Sequence, residues 1–525
     1  MEDNIQKGVV ILMKKKYLLS LMLLSLFNGT KPFEKINSFD LQTENGVFSY
    51  DEENPEITVF LRFLEEDAYT EDLWNSNFQE MVDQMPETNI IFISSEDGYL
   101  NKIKQQATGI PWKEKIFFIN SEKMPIDGEV KEILETWKND WNADKAGFLI
   151  DSDGFLRQFG LLRPPGKSET PIFDAVEREV EYLYWEKNLQ EKMKENLSKK
   201  EVILLEDFEL SGGWGASAEF EAEFPKTEEL MKYNNMEIYF EMNCPEKNDK
   251  NCYEWDMIAN LHLCEDDKCN VLISRWITAY HRRGVWLTDI TPFLAFFTDG
   301  GVKNFKINVP TGNSSYIMDM KIYLSEKNNT LRPVKAYKMW EGGAFNLDYN
   351  PSKKPYLLKN PESQKYTISG IMSGHGWGRD IANCAEFCNH THHFFVNDKP
   401  TEILSDPKAG SGSGCYDLPN KGVVPNQFGT WPYGRAYWCP GWDLPPFNIE
   451  VKNLSRKENV IAYKSLYENK PYNPEVNPDA NSSGFNAEIN MQSWLISWEN
   501  YNHYLLKKNL GNWKNLEEFT TLEDE

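Results

Sequence analysis

Asn383-Cys384-Ala385-Glu386-Phe387-Cys388-Asn389-His390-Thr391-His392-His393 places a glutamate inside a ring that two cysteines can close. Only three residues separate Cys384 from Cys388. A disulfide constrains the unfolded chain most when the loop it closes is long. So short a bridge acts chiefly on the local backbone, and through it on the direction of Glu386. A site whose groups must be held within a fraction of an ångström calls for such a device. The plainer alternative is a surface turn with a solvated carboxylate.

A second stretch repeats the arrangement. Asn243-Cys244-Pro245 leads to Cys252-Tyr253-Glu254-Trp255-Asp256-Met257-Ile258-Ala259-Asn260. If residues 253–263 form a strand, Glu254 and Asp256 share one face and Trp255 takes the other. Two carboxylate stretches, each beside a cysteine pair, are what hydrolysis of a sugar derivative needs.

Composition bounds the rest. A chain of 525 residues exceeds one ordinary domain, and 40% hydrophobic content is enough for packed cores. A net charge of −25 argues against nucleic acid and anionic membranes as partners. Seventeen tryptophans and 24 tyrosines suit β-sandwich cores, sugar platforms, or both. All eight cysteines lie between Cys244 and Cys439. Their even number and short spacings suggest bridges formed in an oxidising compartment, although eight cysteines permit 105 pairings. Nearest-neighbour pairing joins Cys244 to Cys252, Cys264 to Cys269, Cys384 to Cys388, and Cys415 to Cys439. A zinc site is the rival reading, but no Cys-x-x-Cys pair occurs.

Lys14-Lys15-Lys16 precedes the 11-residue apolar run Tyr17–Phe27, a signal-peptide pattern too short to span a membrane. Residues 1–30 are therefore expected to be a signal peptide and the protein to be secreted or extracytoplasmic. No later run is long enough to cross a bilayer. Glycosylation sequons stand at Asn196, Asn313, Asn328, Asn389, Asn453 and Asn481.

Residues 31–55 read as a polar lead-in. Strands are then expected at Ile57–Phe63, Asn89–Ser94 and Lys115–Ile119, with helices at Glu71–Met85, Leu100–Gln106 and Val130–Trp137. A closing hairpin is expected around Ser152-Asp153-Gly154. This α/β order over 31–170 resembles a thioredoxin-like fold, but Leu64-Glu65-Glu66-Asp67-Ala68 stands where a redox dithiol would follow the first strand. That favours a binding or spacer role over redox chemistry.

Pro164-Pro165-Gly166 breaks the pattern, and residues 171–200 read as a connecting helix with a charged, solvated second half. From Glu201 the texture is β. Ala218–Phe224, Met236–Met242 and Met318–Leu324 are typical segments, followed later by Tyr366–Ile371, His392–Val396 and Ser493–Trp498. Two successive sandwiches, 201–336 and 337–510, are the economical reading. Residues 511–525 read as an acidic tail.

Four motifs resemble the peptide-N-glycosidase F family over roughly residues 200–510. They are Cys244 and Cys252 before Glu254-Trp255-Asp256; Arg275-Trp276-Ile277-Thr278-Ala279-Tyr280; Cys384-Ala385-Glu386-Phe387-Cys388; and Arg435-Ala436-Tyr437-Trp438-Cys439-Pro440-Gly441. The resemblance implies two side-by-side jelly-roll sandwiches with an active site in the cleft between them. It also implies the pairs 244–252, 384–388 and 415–439. It places the principal catalytic carboxylate at Asp256, its partner at Glu386 and a substrate-side arginine at Arg435. Trp255, Trp438, His375 and Glu254 complete the expected substrate-binding set.

Two positions depart from the family pattern. Met257 stands where the family has arginine, and Ile307-Asn308-Val309-Pro310-Thr311-Gly312 lacks the family's third acid. The implied function is hydrolysis of the glycan–asparagine amide bond by a monomer acting on N-linked glycans or glycopeptides, with no metal or cofactor. A catalytically silent glycan-binding protein on the same scaffold is the alternative. His390 and His392, facing the same way on a strand, keep a third reading open, a copper monooxygenase.

Overall fold

The computed structural model describes residues 33–65, 70, 74, 85, 88–137, 145–163, 166–167, 172–195, 199–247, 249–265, 268–327, 331–480, 483–500 and 517–522. The expected signal peptide, most of the helix expected at 71–85, Pro164-Pro165, the sequons at Asn196, Asn328 and Asn481, and most of the tail lie outside the described residues.

The first unit is α/β. Its sheet runs in the order Ile116–Asn120, Asn89–Ser94, Thr58–Arg62, Gly147–Ile150, Leu156–Arg157. The first three strands are mutually parallel, Gly147–Ile150 runs antiparallel to them, and Leu156–Arg157 runs antiparallel to Gly147–Ile150. Thr58–Arg62 and Asn89–Ser94 are buried throughout, as strands covered on both faces must be. Leu100, Ile103, Val176 and Val180 pack on one face; Phe48, Val130, Trp137 and Phe148 pack on the other. The polar lead-in is corrected here. Phe39–Thr43 and Gly46–Tyr50 form a hairpin, because Leu41, Phe48 and Tyr50 supply a buried face.

The long helix Ile172–Glu195 also departs from expectation. Phe173, Val176, Val180 and Leu183 enter the α/β core, while Leu189 packs with Tyr239, Val285 and Tyr323 of the first sandwich. Its charged second half is not simply solvated. Glu186 is buried and bridges Arg157, at 2.7 Å, and Arg283, at 3.0 Å. Only the last turns, from Glu191, are largely exposed.

Two antiparallel β-sandwiches follow. The first stacks Gly284–Asp289, Asn235–Asn243, Tyr316–Ser325 and Lys200–Leu210 on a sheet containing Lys268–Ile277, Ile258–Glu265, Gly300–Asn308 and Ser217–Lys226. Phe240, Trp276, Trp286, Phe305 and Met318 fill the space between. The second stacks Leu331–Ala344, Phe485–Asn500, Lys365–Trp377 and Phe447–Glu450 on Lys399–Leu404, Thr391–Val396, Glu458–Leu466, Tyr356–Lys359 and Glu518–Thr521. The strand Leu331–Ala344 runs unbroken through the expected boundary at 336/337. The expected acidic tail contributes an edge strand, with Phe519 opposite Leu358 and its ring stacked on Tyr356.

The sandwiches are joined rather than merely adjacent. Trp442–Asp443, from the second, pairs with Trp276–Ile277 and so extends a sheet of the first. Arg275 donates across the junction to Ser373 Oγ and to the Asn490 carbonyl, both at 2.9 Å. Ile371, Trp438 and Trp494 belong to the same apolar cluster as the first sandwich's core. The four disulfides are the nearest-neighbour pairs, Cys244–Cys252, Cys264–Cys269, Cys384–Cys388 and Cys415–Cys439.

Candidate active site

Asp256 and Glu386 approach the same guanidinium from different sandwiches. Arg435 Nε donates to Glu386 Oε1 at 3.1 Å, and Arg435 Nη2 lies 3.6 Å from Asp256 Oδ2. Arg435 is 1% exposed. Its remaining N–H groups are directed by the carbonyls of Thr430 and Tyr433, at 3.1 and 3.0 Å, and by Thr430 Oγ1 at 2.9 Å. It lies over the rings of Trp438 and Phe387. So many fixed acceptors leave the cation one orientation.

The loop bearing Asp256 is held from both ends. The Cys244–Cys252 bridge anchors its start. Thr278 straddles its middle: its hydroxyl donates to the Trp255 carbonyl at 3.0 Å and accepts from the Met257 amide at 2.7 Å. The expectation of a strand over 253–263 is corrected by this. The strand begins at Ile258, because Thr278 captures the preceding backbone groups. Glu254 and Asp256 therefore do not share a strand face. Glu254 is exposed and accepts from its neighbour Trp255 Nε1 at 2.9 Å; it stands outside the cluster. Trp255 is 50% exposed, at the rim.

Glu386 is held by its own backbone as well. Its carbonyl accepts from Ala436 at 2.8 Å, and Gly376 donates to Oε2 at 3.3 Å. Trp438 donates to the Gly374 carbonyl at 2.7 Å. His375 lies behind it, ring to ring at 5.1 Å, with Nε2 2.8 Å from Ser373 Oγ. Buried Trp438 and half-buried His375 thus back the arginine rather than form an open surface. Burial, then the charges of Arg275 and Arg435, push the His375 imidazole down to about 3, so it is neutral.

Both carboxylates are pushed up. Burial dominates at Asp256, against which Arg435 and a hydrogen bond from Tyr280 work. Burial raises Glu386 to about 7, opposed by Arg435 and reinforced by the charge of Asp256. One arginine does not fully compensate two buried carboxylates. The arrangement favours Glu386 holding a proton near neutrality beside a second raised carboxyl, a setting suited to general acid–base chemistry.

Tyr280 has no role in the sequence reading, yet its hydroxyl lies 3.4 Å from Arg435 Nη2 and bonds Asp256. Its signal lay in the Arg275–Tyr280 motif, where Thr278 and Tyr280 alternate toward one side. Gly429 makes room for it: a Cβ there would fall 2.5 Å from the tyrosine ring.

His390 and His392 are fully buried and share a hydrogen bond of 2.8 Å. His390 Nε2 lies 3.1 Å from the Ala385 carbonyl, and His392 Nδ1 lies 2.6 Å from Tyr463 OH. Burial pushes His390 down to about 4. They are neutral core histidines that steady the Glu386 loop. Among the described residues no group of His, Cys, Asp and Glu is placed to hold a metal ion.

Fold and site together define a tandem β-sandwich protein with a carboxylate–arginine centre at the junction. Residues 348–496 match the family model for peptide-N-glycosidase F, C terminal. The peptide-N(4)-(N-acetyl-β-D-glucosaminyl)asparagine amidase F of Elizabethkingia miricola is 25% identical over 277 residues, 49% of this chain and 74% of that protein. A solved structure of the Flavobacterium meningosepticum glycosylasparaginase PNGase F aligns with 57% of this chain and 96% of its own, at 21% identity and a TM-score of 0.44. The solved structure of PNGF-II aligns with 57% of this chain and 65% of its own, at 13% identity and a TM-score of 0.40. The resemblance to the peptide-N-glycosidase F family is matched by the family model, which spans the last two of the four motifs, and by the curated relative.

Proposed function

We propose that the chain is a peptide-N-glycosidase-like amidase that hydrolyses the amide bond between an N-glycan and asparagine. The observation that carries this reading is the delivery of Asp256 and Glu386, from two sandwiches, to one buried arginine. Ionised Asp256 accepts a proton from the attacking water. Glu386, still protonated near neutrality, donates to the departing glycosylamine nitrogen. Arg435 and Tyr280 hold Asp256 in place, and Arg435 offsets negative charge that develops on the amide oxygen. The products are an aspartate side chain and a glycosylamine, so atoms and charge balance with water alone.

Met257 and the acid-free stretch Ile307–Gly312 favour a second reading, a glycan-binding protein without turnover. Met257 packs its side chain against the first core and offers no charge to the site. Incubation with a denatured N-glycoprotein separates the two: release with conversion of asparagine to aspartate supports the amidase, and glycan retention without release supports the binding protein.

The eight strands of the first sandwich between Lys200 and Ser325 suit a jelly roll. The strand order and mixed polarity of the α/β unit suit a thioredoxin-like fold acting as a binding or spacer module. Four disulfides suit a secreted or extracytoplasmic monomer. No helix of the described residues is long and apolar enough to cross a membrane.

A further inference from the structure

Trp214 is 70% exposed, an unusual place for the largest apolar side chain. It sits in Gly212-Gly213-Trp214-Gly215, so its chain neighbours have no side chains to cover it. Gly212 and Gly213 have φ of 141° and 71°, values that side-chain-bearing residues rarely adopt. The turn is nevertheless fixed. Gly213 donates to Thr311 Oγ1 at 3.1 Å, and its carbonyl accepts from the Thr311 amide at 2.9 Å.

That anchoring holds the indole against Tyr253, which begins the segment that carries Asp256. Its ring stands perpendicular to Tyr253, 6.2 Å between centroids. Gly312 lies so close to Tyr253 that a Cβ would fall 1.8 Å from the ring, which locks the tyrosine between the two turns. Tyr253 opens the clamped Tyr253–Asp256 segment. Three residues of chain reach at most about 11 Å, which keeps Trp214 within the span of an extended oligosaccharide from Asp256. The half-exposed Trp255 lies in the same segment.

We propose that Trp214 is a stacking platform for a sugar ring of the bound glycan, beyond the residue joined to asparagine. This rests on the amidase or glycan-binding reading of the same site. A lone flat ring among glycines and serines is too small to seat a protein partner. It does match a pyranose, which presents C–H groups on one face and hydroxyls around its edge. The platform selects for glycan length, since a minimal substrate never reaches it.

The test uses the full chain carrying Asp256→Asn, so that ligand is not consumed. Calorimetric titration compares N,N′-diacetylchitobiose with a complete oligomannose N-glycan, with Trp214 intact and as Trp214→Ala, Trp214→Phe and Trp214→Leu. The expected result is a loss of affinity for the long glycan of about tenfold on Trp214→Ala. Chitobiose binding and the thermal midpoint should be unchanged. Phenylalanine should restore most of the loss, and leucine, apolar but not flat, should not. Long-glycan affinity unaffected by Trp214→Ala, or full rescue by leucine, overturns the platform alone. Failure of the parent chain to bind either glycan overturns the platform and the functional reading together.

Discussion

Two arginine–carboxylate clusters among the described residues are built oppositely. Under the long helix, Arg157, Arg282 and Arg283 interleave with Glu179, Glu186, Glu241 and Asp249. Glu186 and Asp249 each touch two arginines. At the sandwich junction, Asp256 and Glu386 share Arg435 alone. The carboxyl groups respond accordingly. Despite burial, Asp249 is held below its ordinary range by Arg282 and Arg157, and Glu241 by Arg283 with hydrogen bonds from Tyr239 and Asn243. Asp256 and Glu386 are pushed up. Asp151, which meets only Arg157, follows the second pattern and is raised. Carboxylates whose cations and hydrogen bonds outweigh burial weld units together, and under-compensated ones can exchange protons.

The largest test of that contrast is Asp256→Asn. It should lower glycan release by roughly 10²–10⁴-fold, the usual weight of a general base, with the thermal midpoint kept or raised. Glu254→Gln, exposed and outside the cluster, should leave activity near the parent value. A dead Glu254→Gln beside an active Asp256→Asn would break the contrast.

Glu186→Ala should do the reverse. It removes a shared partner from two buried arginines, a change that costs about 3–5 kcal/mol when a buried pair is broken. Denaturant unfolding should show the loss, while activity per folded molecule stays near the parent level. The same cluster bears on deletion of residues 31–200. The fragment should unfold at a lower temperature than the whole chain, because Arg282 loses Glu179 and Arg283 loses Glu186.

Dependence on pH sharpens the comparison further. Glu386 keeps its proton up to about 7 when folded, against 4.5 ordinarily. Between those values the unfolded chain binds fewer protons, so this group makes stability fall as pH rises. Asp249 is depressed below 3.8; its contribution is present above that value and is lost as pH falls through its folded pKa. The thermal midpoint of the parent relative to that of Glu386→Gln should therefore fall as pH rises from about 4.5 to about 7, with the difference between the two constant on the acid limb.

The smallest effect is expected from Tyr280→Phe. Loss of one hydrogen bond, about 0.5–1.5 kcal/mol, should raise Asp256 further. The acid limb of the activity profile should move up by about one pH unit or less. An unmoved limb would mean that Asp256 does not set it.

Much of this was legible in the residues. The cysteine spacings point to the pairs that form, and the four motifs bring Asp256, Glu386 and Arg435 to one place. The helix interface was not legible, because a run of charge reads as solvated when its partners lie elsewhere in the chain. Glu186 is 29 residues from Arg157 and 97 from Arg283. Nor was the start of the strand at Ile258: Tyr253–Met257 alternates like a strand, and only the distant Thr278 hydroxyl shows why it is a loop. The edge strand Glu518–Thr521 was hidden for a related reason. Its acidic surroundings mask the one residue, Phe519, that packs on the second sandwich.

The proposed role of Asp256 is to direct water at the amide carbon. A denatured N-glycoprotein incubated with the full chain in oxygen-18 water tests it most directly, by mass spectrometry of the peptide and the glycan. The expected result is release of the whole glycan and conversion of the asparagine to aspartate carrying one oxygen-18, with both products reduced roughly 10²–10⁴-fold for Asp256→Asn. Release that leaves N-acetylglucosamine on an unchanged asparagine, or no release by the parent chain, would contradict it.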